Sequence, residues 1–301
     1  MTDNKKIRFA AHVLMCNCDQ FILLMLDNCG PFVEKIFVGY SEKLWNYNSE
    51  ARNNFKNHTS KDILKQSKYY NKIEIIEGEW EKDEDERNAC LNKAKSEGFD
   101  YLIIQDADEY YKMQDYQTNL EEISQNLNYD LYIMPMSTFW KSLDYILVDK
   151  NGSVIDAYPG FAINCKSNVK FIYSRNTNAD SIFKLSGVCY HLSYVYEDNE
   201  LYQKISTWGH ASDFNRERWF KYKWLRWNES TRDLHPLYRD FWIRAIRFSG
   251  KLPEVLEDFQ SPLVKQYNGT SLNKIEYAIV QMVTRITDEW KYLKIKLSNK
   301  N

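Results

Sequence analysis

The stretch Tyr101-Leu-Ile-Ile-Gln-Asp-Ala-Asp-Glu-Tyr-Tyr111 constrains this chain most. Its apolar run, Leu102, Ile103 and Ile104, reads as a strand buried on both faces. The run stops abruptly at Asp106, Asp108 and Glu109. Packing does not explain that stop, because buried carboxylates are costly unless they are paired or bind a cation. The plain alternative is a solvated acidic turn. In an open α/β sheet, however, ligands bind at the carboxyl ends of strands. Two carboxylates one residue apart leave a strand together, and both can reach a hard divalent cation.

The residues before this strand alternate strand and helix. Ile7 to Met15 reads as a strand, Gln20 to Asn28 as a helix closed by Gly30-Pro31, and Lys35 to Val38 as a second strand. Such a β-α-β unit makes its two strands parallel, with a right-handed crossover. Lys72 to Glu77 is a third strand. A helix capped by Asp83 or Asp85 follows it and ends near Ser96, before Gly98. Parallel strands bring Glu79 and Asp106 to one edge, together with Arg87 and Asn88 in the first turn of that helix. An arginine beside paired carboxylates is placed to neutralise phosphate oxygens; a surface ion pair with Asp83 or Glu84 is the alternative. No glycine-rich dinucleotide fingerprint follows the first strand, where Asn17-Cys-Asp19 stands instead, and no Walker A motif is present.

Beyond the acidic turn the expectation is a helix over Thr118–Asn126 and a strand over Asp130–Met136. A hairpin of Tyr145–Val148 and Val154–Ala157 should turn at Asn151-Gly152, with strands at Phe161–Cys165 and Lys170–Tyr173 and a last one ending at His191. Antiparallel strands after a parallel half give a mixed sheet. From about Phe214 the pattern turns helical and aromatic. Trp224 and Trp227 fall at helical spacing among basic residues, which suits packing better than stacking on RNA. Ile275, Ile279, Met282, Ile286, Trp290 and Leu293 make one apolar face, expected to dock on the main domain.

Forty basic against 42 acidic residues leave a net charge of −2, which gives no general attraction to nucleic acid. The six cysteines show no zinc-like spacing and read as free thiols of a cytoplasmic protein. The longest aliphatic run, Phe21 to Leu26, is too short for a transmembrane segment.

Taken together, Arg87-Asn-Ala-Cys-Leu91, Gly98-Phe-Asp100 and Ile104-Gln-Asp-Ala-Asp-Glu109 resemble the family 2-like glycosyltransferases of GT-A fold. His191-Leu-Ser-Tyr194, followed by Lys204 and Trp208-Gly-His210, is a second, less specific match. The resemblance implies a mixed α/β GT-A (Rossmann-like) sheet flanked by helices, with a catalytic domain over about 1–213 and a helical C-terminal region over about 214–301. The nucleotide-sugar half would cover about 1–110 and the acceptor half about 111–213. It further implies a hexosyl transfer, inverting in type, from a UDP- or GDP-sugar to a glycan or other hydroxyl acceptor. Asp106 and Asp108 would be a DxD pair holding Mn²⁺ or Mg²⁺, with His191 completing the metal shell. Asn17, Asp19, Tyr40, Ser41, Glu79, Arg87, Asn88 and Ala107 would line the donor pocket. For the acceptor side the candidates are Trp140, Trp208 and His210, with Asp144 and Asp180 as catalytic bases. A metal-dependent nucleotidyl- or phosphotransferase and a non-catalytic nucleotide-sugar or glycan-binding module are the competing readings.

Overall fold

The computed structural model describes residues 6–47, 49–208, 211, 213–238 and 241–268, and positions 275, 276, 278, 279, 282, 283, 286 and 290. The first strand, β1 (Phe9–Leu14), is buried along its whole length, as a continuous apolar run at the centre of a parallel sheet must be. Helix α1 (Asp19–Cys29) buries Phe21, Ile22, Met25, Leu26 and Cys29, one stripe of its surface. Next come β2 (Lys35–Tyr40), a short α2 (Ser49–Asn54), β3 (Ile73–Glu77), α3 (Asp83–Ser96) and β4 (Tyr101–Ile104). Four acidic residues open α3 and Lys93 and Lys95 close it, each sign at the favourable end of the helix dipole. Gly98, at φ +71°, takes the left-handed position that stops it.

The chain continues through β5 (Glu109–Tyr110), α4 (Met113–Gln125), β6 (Leu131–Ile133), β7 (Met136–Trp140), β8 (Ser142–Val148) and β9 (Gly160–Asn164). Then follow β10 (Phe171–Tyr173), β11 (Asn176–Thr177), β12 (Ile182–Lys184), β13 (Cys189–Tyr194), α5 (Asp198–Thr207), α6 (Arg216–Trp219) and β14 (Arg244–Arg247). Among the described residues the main sheet has seven strands in the order β12-β6-β9-β4-β1-β2-β3. Strands β1 to β4 are mutually parallel, and β9 runs against both β4 and β6. This is the mixed α/β sheet that the sequence resemblance implied. A second sheet, β14-β8-β7-β13-β5, grows beside the tip of β4. Within it β13 pairs antiparallel with β5, setting His191 opposite Glu109.

Four expectations change. The strand expected over Asp130–Met136 breaks at Pro135, which lacks an amide donor, so β6 and β7 enter different sheets. The Asn151-Gly152 turn forms, with Gly152 at φ +81°, but Val154–Ala157 does not return along β8. Strand β8 pairs instead with β7 and β14. The C-terminal region is therefore not helical throughout: it supplies β14 and buries Trp219, Trp224, Trp227 and Trp242 in the core. Finally, Ile275, Ile279, Met282, Ile286 and Trp290 are exposed rather than docked. Glu276 bonds with Tyr222 and Arg226. Leu293 lies outside the described residues.

Glu86 sits beneath β2, where Gly39 leaves room for it; a Cβ on Gly39 would come within 2.9 Å of the Glu86 side chain. Its carboxylate accepts from Trp45 Nε1 at 2.8 Å. Burial raises this carboxyl from 4.5 to about 7. The folded chain thus keeps a proton that the unfolded chain has lost, so this contribution is complete below 4.5 and disappears as pH rises through about 7. Glu86→Gln, which still accepts from Trp45, is expected to gain roughly 3 kcal/mol on the wild type between pH 4.5 and pH 8. Paired urea titrations at the two pH values measure that difference.

Candidate active site

Beyond Ile104 the chain turns sharply, with Glu109 N donating to Asp106 O at 3.0 Å. The two aspartates of the turn have different partners. Asp106 receives both arms of Arg87, at 2.8 and 3.0 Å, from the first turns of α3. Arg175, carried by the β10–β11 hairpin, approaches the same carboxylate at 3.3 Å and makes a two-armed contact with Glu109. It also donates to the carbonyls of Ile104 and Gly160. Burial alone would raise the Asp106 carboxyl; Arg87 and Arg175 hold it well below the usual carboxylate range.

Asp108 faces the other way. Its Oδ2 accepts from Lys204 Nζ at 2.8 Å, and its Oδ1 stands 3.6 Å from His191 Nε2. Register places that histidine: Leu192 N donates to Asp108 O at 2.8 Å, fixing β13 against the acidic turn. Lys204 arrives from α5, whose N-terminus is closed by a capping box between Glu197 and Glu200. Burial would raise Asp108 and lower His191. Lys204 and His191 instead hold Asp108 far below its ordinary value, and Asp108 raises His191.

These groups open onto a cavity of about 300 Å³. Of the candidate residues, Asn17, Asp19, Arg87, Asp106, Ala107, Asp108, His191 and Trp208 line it. Several other candidates are elsewhere. Tyr40 and Ser41 are buried under the β2 end, and Ser41 Oγ donates to Lys43 O. Glu79 is exposed and pairs with Lys43. Asn88 holds the hairpin, exchanging two bonds with the Phe171 backbone at 2.8 and 2.9 Å. Trp140 is fully buried against Tyr194, Trp219 and Trp224, so it is a core residue and offers no face to a sugar. Asp144 and Asp180 are exposed and lie outside the lining of this cavity. His210 lies outside the described residues.

Other residues of the cavity were not singled out from sequence. Trp45, Tyr47 and Tyr173 give it an aromatic wall, and Glu200, Gln203 and Thr207 join Lys204, already part of the second resemblance motif, in presenting one face of α5 to it. The i, i+4 spacing of Glu200 and Lys204 was the available signal. Arg175 had none, since nothing local links it to the acids it neutralises.

A divalent cation fits this donor set in part. Asp108 Oδ1 and His191 Nε2, 3.6 Å apart, approach the separation of neighbouring ligands on one ion, roughly 3 Å for bonds of about 2.1 Å. Asp106 does not fit, because both of its oxygens are engaged by Arg87. Among the described residues no cluster of three or more His, Cys, Asp or Glu could hold a metal ion. A cation here would complete its shell with oxygens of water or of a bound ligand.

The site sits at the carboxyl ends of the parallel strands. Comparison with solved structures finds S. aureus TarS 1–349 at 14% identity and a TM-score of 0.41, matching 73% of this chain and 71% of that one. The same TarS segment in complex with UDP aligns at 12% identity and a TM-score of 0.42, over the same shares of the two chains. The 4-diphosphocytidyl-2C-methyl-D-erythritol synthase of Anaerococcus prevotii aligns at 13% identity and a TM-score of 0.36, covering 60% of this chain and 89% of its own. No family model matches the chain, and no curated protein sequence does. No helix among the described residues is long and apolar enough to cross a membrane.

Replacing Arg175 by Met should leave Glu109 charged and buried without its main partner. The expected loss is about 3–5 kcal/mol in urea unfolding. Adding Glu109→Gln should recover part of it.

Proposed function

We propose that the chain is a glycosyltransferase of the hexosyltransferase type, using a UDP- or GDP-sugar and a hydroxyl acceptor, a glycan among them. One observation carries this reading: Asp108, at the tip of the central strand, faces a cavity that also holds Arg87, Lys204 and His191 beneath an aromatic wall. A nucleoside diphosphate has matching needs, a flat base for aromatic contact and two phosphates for the cations. The free cysteines accord with a cytoplasmic setting.

In this reading the nucleotide enters past Asn17 and Asp19, and its base lies against Trp45 and Tyr47. The diphosphate points towards Asp108, where Lys204 and Arg87 offset its charge as the glycosidic bond breaks. Mn²⁺ or Mg²⁺, held by Asp108, His191 and phosphate oxygens, would add neutralisation of the leaving group. The acceptor approaches along α5 beside Trp208. Glu200 is the catalytic base we assign for an inverting transfer. Its carboxylate lines the cavity, has no cation partner among the described residues, and is held by the Glu197 amide at 3.2 Å.

The test is a thermal-shift screen of nucleotide-sugars with Mn²⁺, followed by assay of release of nucleoside diphosphate. Asp108→Ala should abolish release while circular dichroism stays native. Glu200→Gln should keep the donor-induced shift and lower transfer by about 10²–10⁴-fold. Pyrophosphate as the product would instead make the protein a nucleotidyltransferase. Unchanged turnover in Asp108→Ala, or no shift with any donor, would end the proposal.

A further inference from the structure

Lys204 is placed as no ordinary surface lysine is. Its ammonium has three protons, and three strong acceptors surround it: Asp108 Oδ2 at 2.8 Å, Ser193 Oγ at 2.9 Å and the Ser193 carbonyl at 3.1 Å. Tyr196 adds a further oxygen at 3.4 Å and a ring face at 4.6 Å. The lysine is thus satisfied by the protein alone, yet it lines the cavity and keeps 24% of its side chain open to it. Asp108 keeps only 12%. Its Oδ2 is engaged by the ammonium, and its Oδ1 faces His191.

Electrostatics then restricts the order of binding. A divalent ion arriving alone on Asp108 would meet a lysine ammonium already seated on that carboxylate. An ammonium and a divalent ion on one carboxylate repel each other strongly at the effective dielectric of a partly buried site. A diphosphate changes the balance, because it brings enough negative charge to accommodate both cations. It also offers the ammonium a charged acceptor in place of Asp108.

We infer that Lys204 is a latch on Asp108, released only by a diphosphate: the lysine turns from the carboxylate onto a phosphate oxygen, and the vacated carboxylate takes the divalent ion. Metal and nucleotide therefore bind as a pair, and metal alone binds poorly. This rests on the transferase reading for the identity of the diphosphate, but the latch itself is visible with metal alone.

The experiment follows Mn²⁺ by the loss of its free electron paramagnetic resonance signal, with no turnover required. Four arms are compared: wild type and Lys204→Gln, each with and without UDP, and GDP in a parallel set. Glutamine keeps polar contact with Ser193 and removes the charge. Wild type should bind Mn²⁺ at least tenfold more tightly when the nucleotide is present. Lys204→Gln should bind Mn²⁺ alone at least tenfold more tightly than wild type does, and should gain much less from the nucleotide. Lys204→Met serves as a second variant, and circular dichroism reports whether either is folded. Tight Mn²⁺ binding by wild type without nucleotide, or equal Mn²⁺ affinity in wild type and folded variants, overturns the latch. Nucleotide binding in EDTA, read by thermal shift, separates the two ideas. If UDP and GDP fail to bind in every arm, the donor assignment falls, whereas the metal-only arms still decide the latch.

Discussion

The structure depends on an ion network with a four-membered core at the tip of its central strand. Arg87 and Arg175 face Asp106 and Glu109, and Asp83 adds a further carboxylate 3.5 Å from Arg87. Each would cost several kcal/mol if buried by itself, so the network is stable only as a set. The core members come from three places: the acids from the turn after β4, one arginine from α3, and the other from the β10–β11 hairpin. The hairpin is tied to α3 a second time, through Ser174 on Asp83 at 2.9 Å and Asn88 on Phe171. A single electrostatic requirement thus joins the parallel half of the main sheet to an excursion from its antiparallel half.

This network also divides the work of the acidic turn. Asp106 and Glu109 are engaged by guanidinium groups that do not titrate, and they hold the turn in shape. Asp108, between them, is left to the cavity, where its partners are a mobile type of side chain and a histidine. Strand β13 makes that division reliable. By pairing with β5 it fixes His191 opposite the turn, and the chain then runs directly into α5, which brings Lys204. A rigid acid supports a responsive one two residues away.

Much of this was legible in the sequence, and the parts that were not share a cause. Continuous apolar runs such as Tyr101–Ile104 and the capped, charge-ordered α3 reveal themselves locally, so the parallel half and the Asp106–Asp108 turn could be placed. Pro135 was also a local signal, and it correctly divides what reads as one strand into β6 and β7. By contrast, Arg175 lies 66 residues from Glu109 and Lys204 lies 96 from Asp108. No periodicity reports a contact of that separation. Asp144 and Asp180 show the converse error: an acid in the right half of the chain need not face the site. Trp140 was judged by its chemistry as a sugar platform, but Tyr194, Trp219 and Trp224 enclose it. Aromatic residues that are distant in sequence decide whether one of them is free.

The position of Arg175 has a consequence for biosynthesis. A ribosome delivers β1 to β4 and the acidic turn well before it delivers the hairpin, so Glu109 must wait for its counter-charge. Until then Glu109 stays hydrated, while Asp106 already has Arg87. The N-terminal half is accordingly not a unit that matures by itself, and the cavity is completed late, when the last strands and α5 have left the exit tunnel.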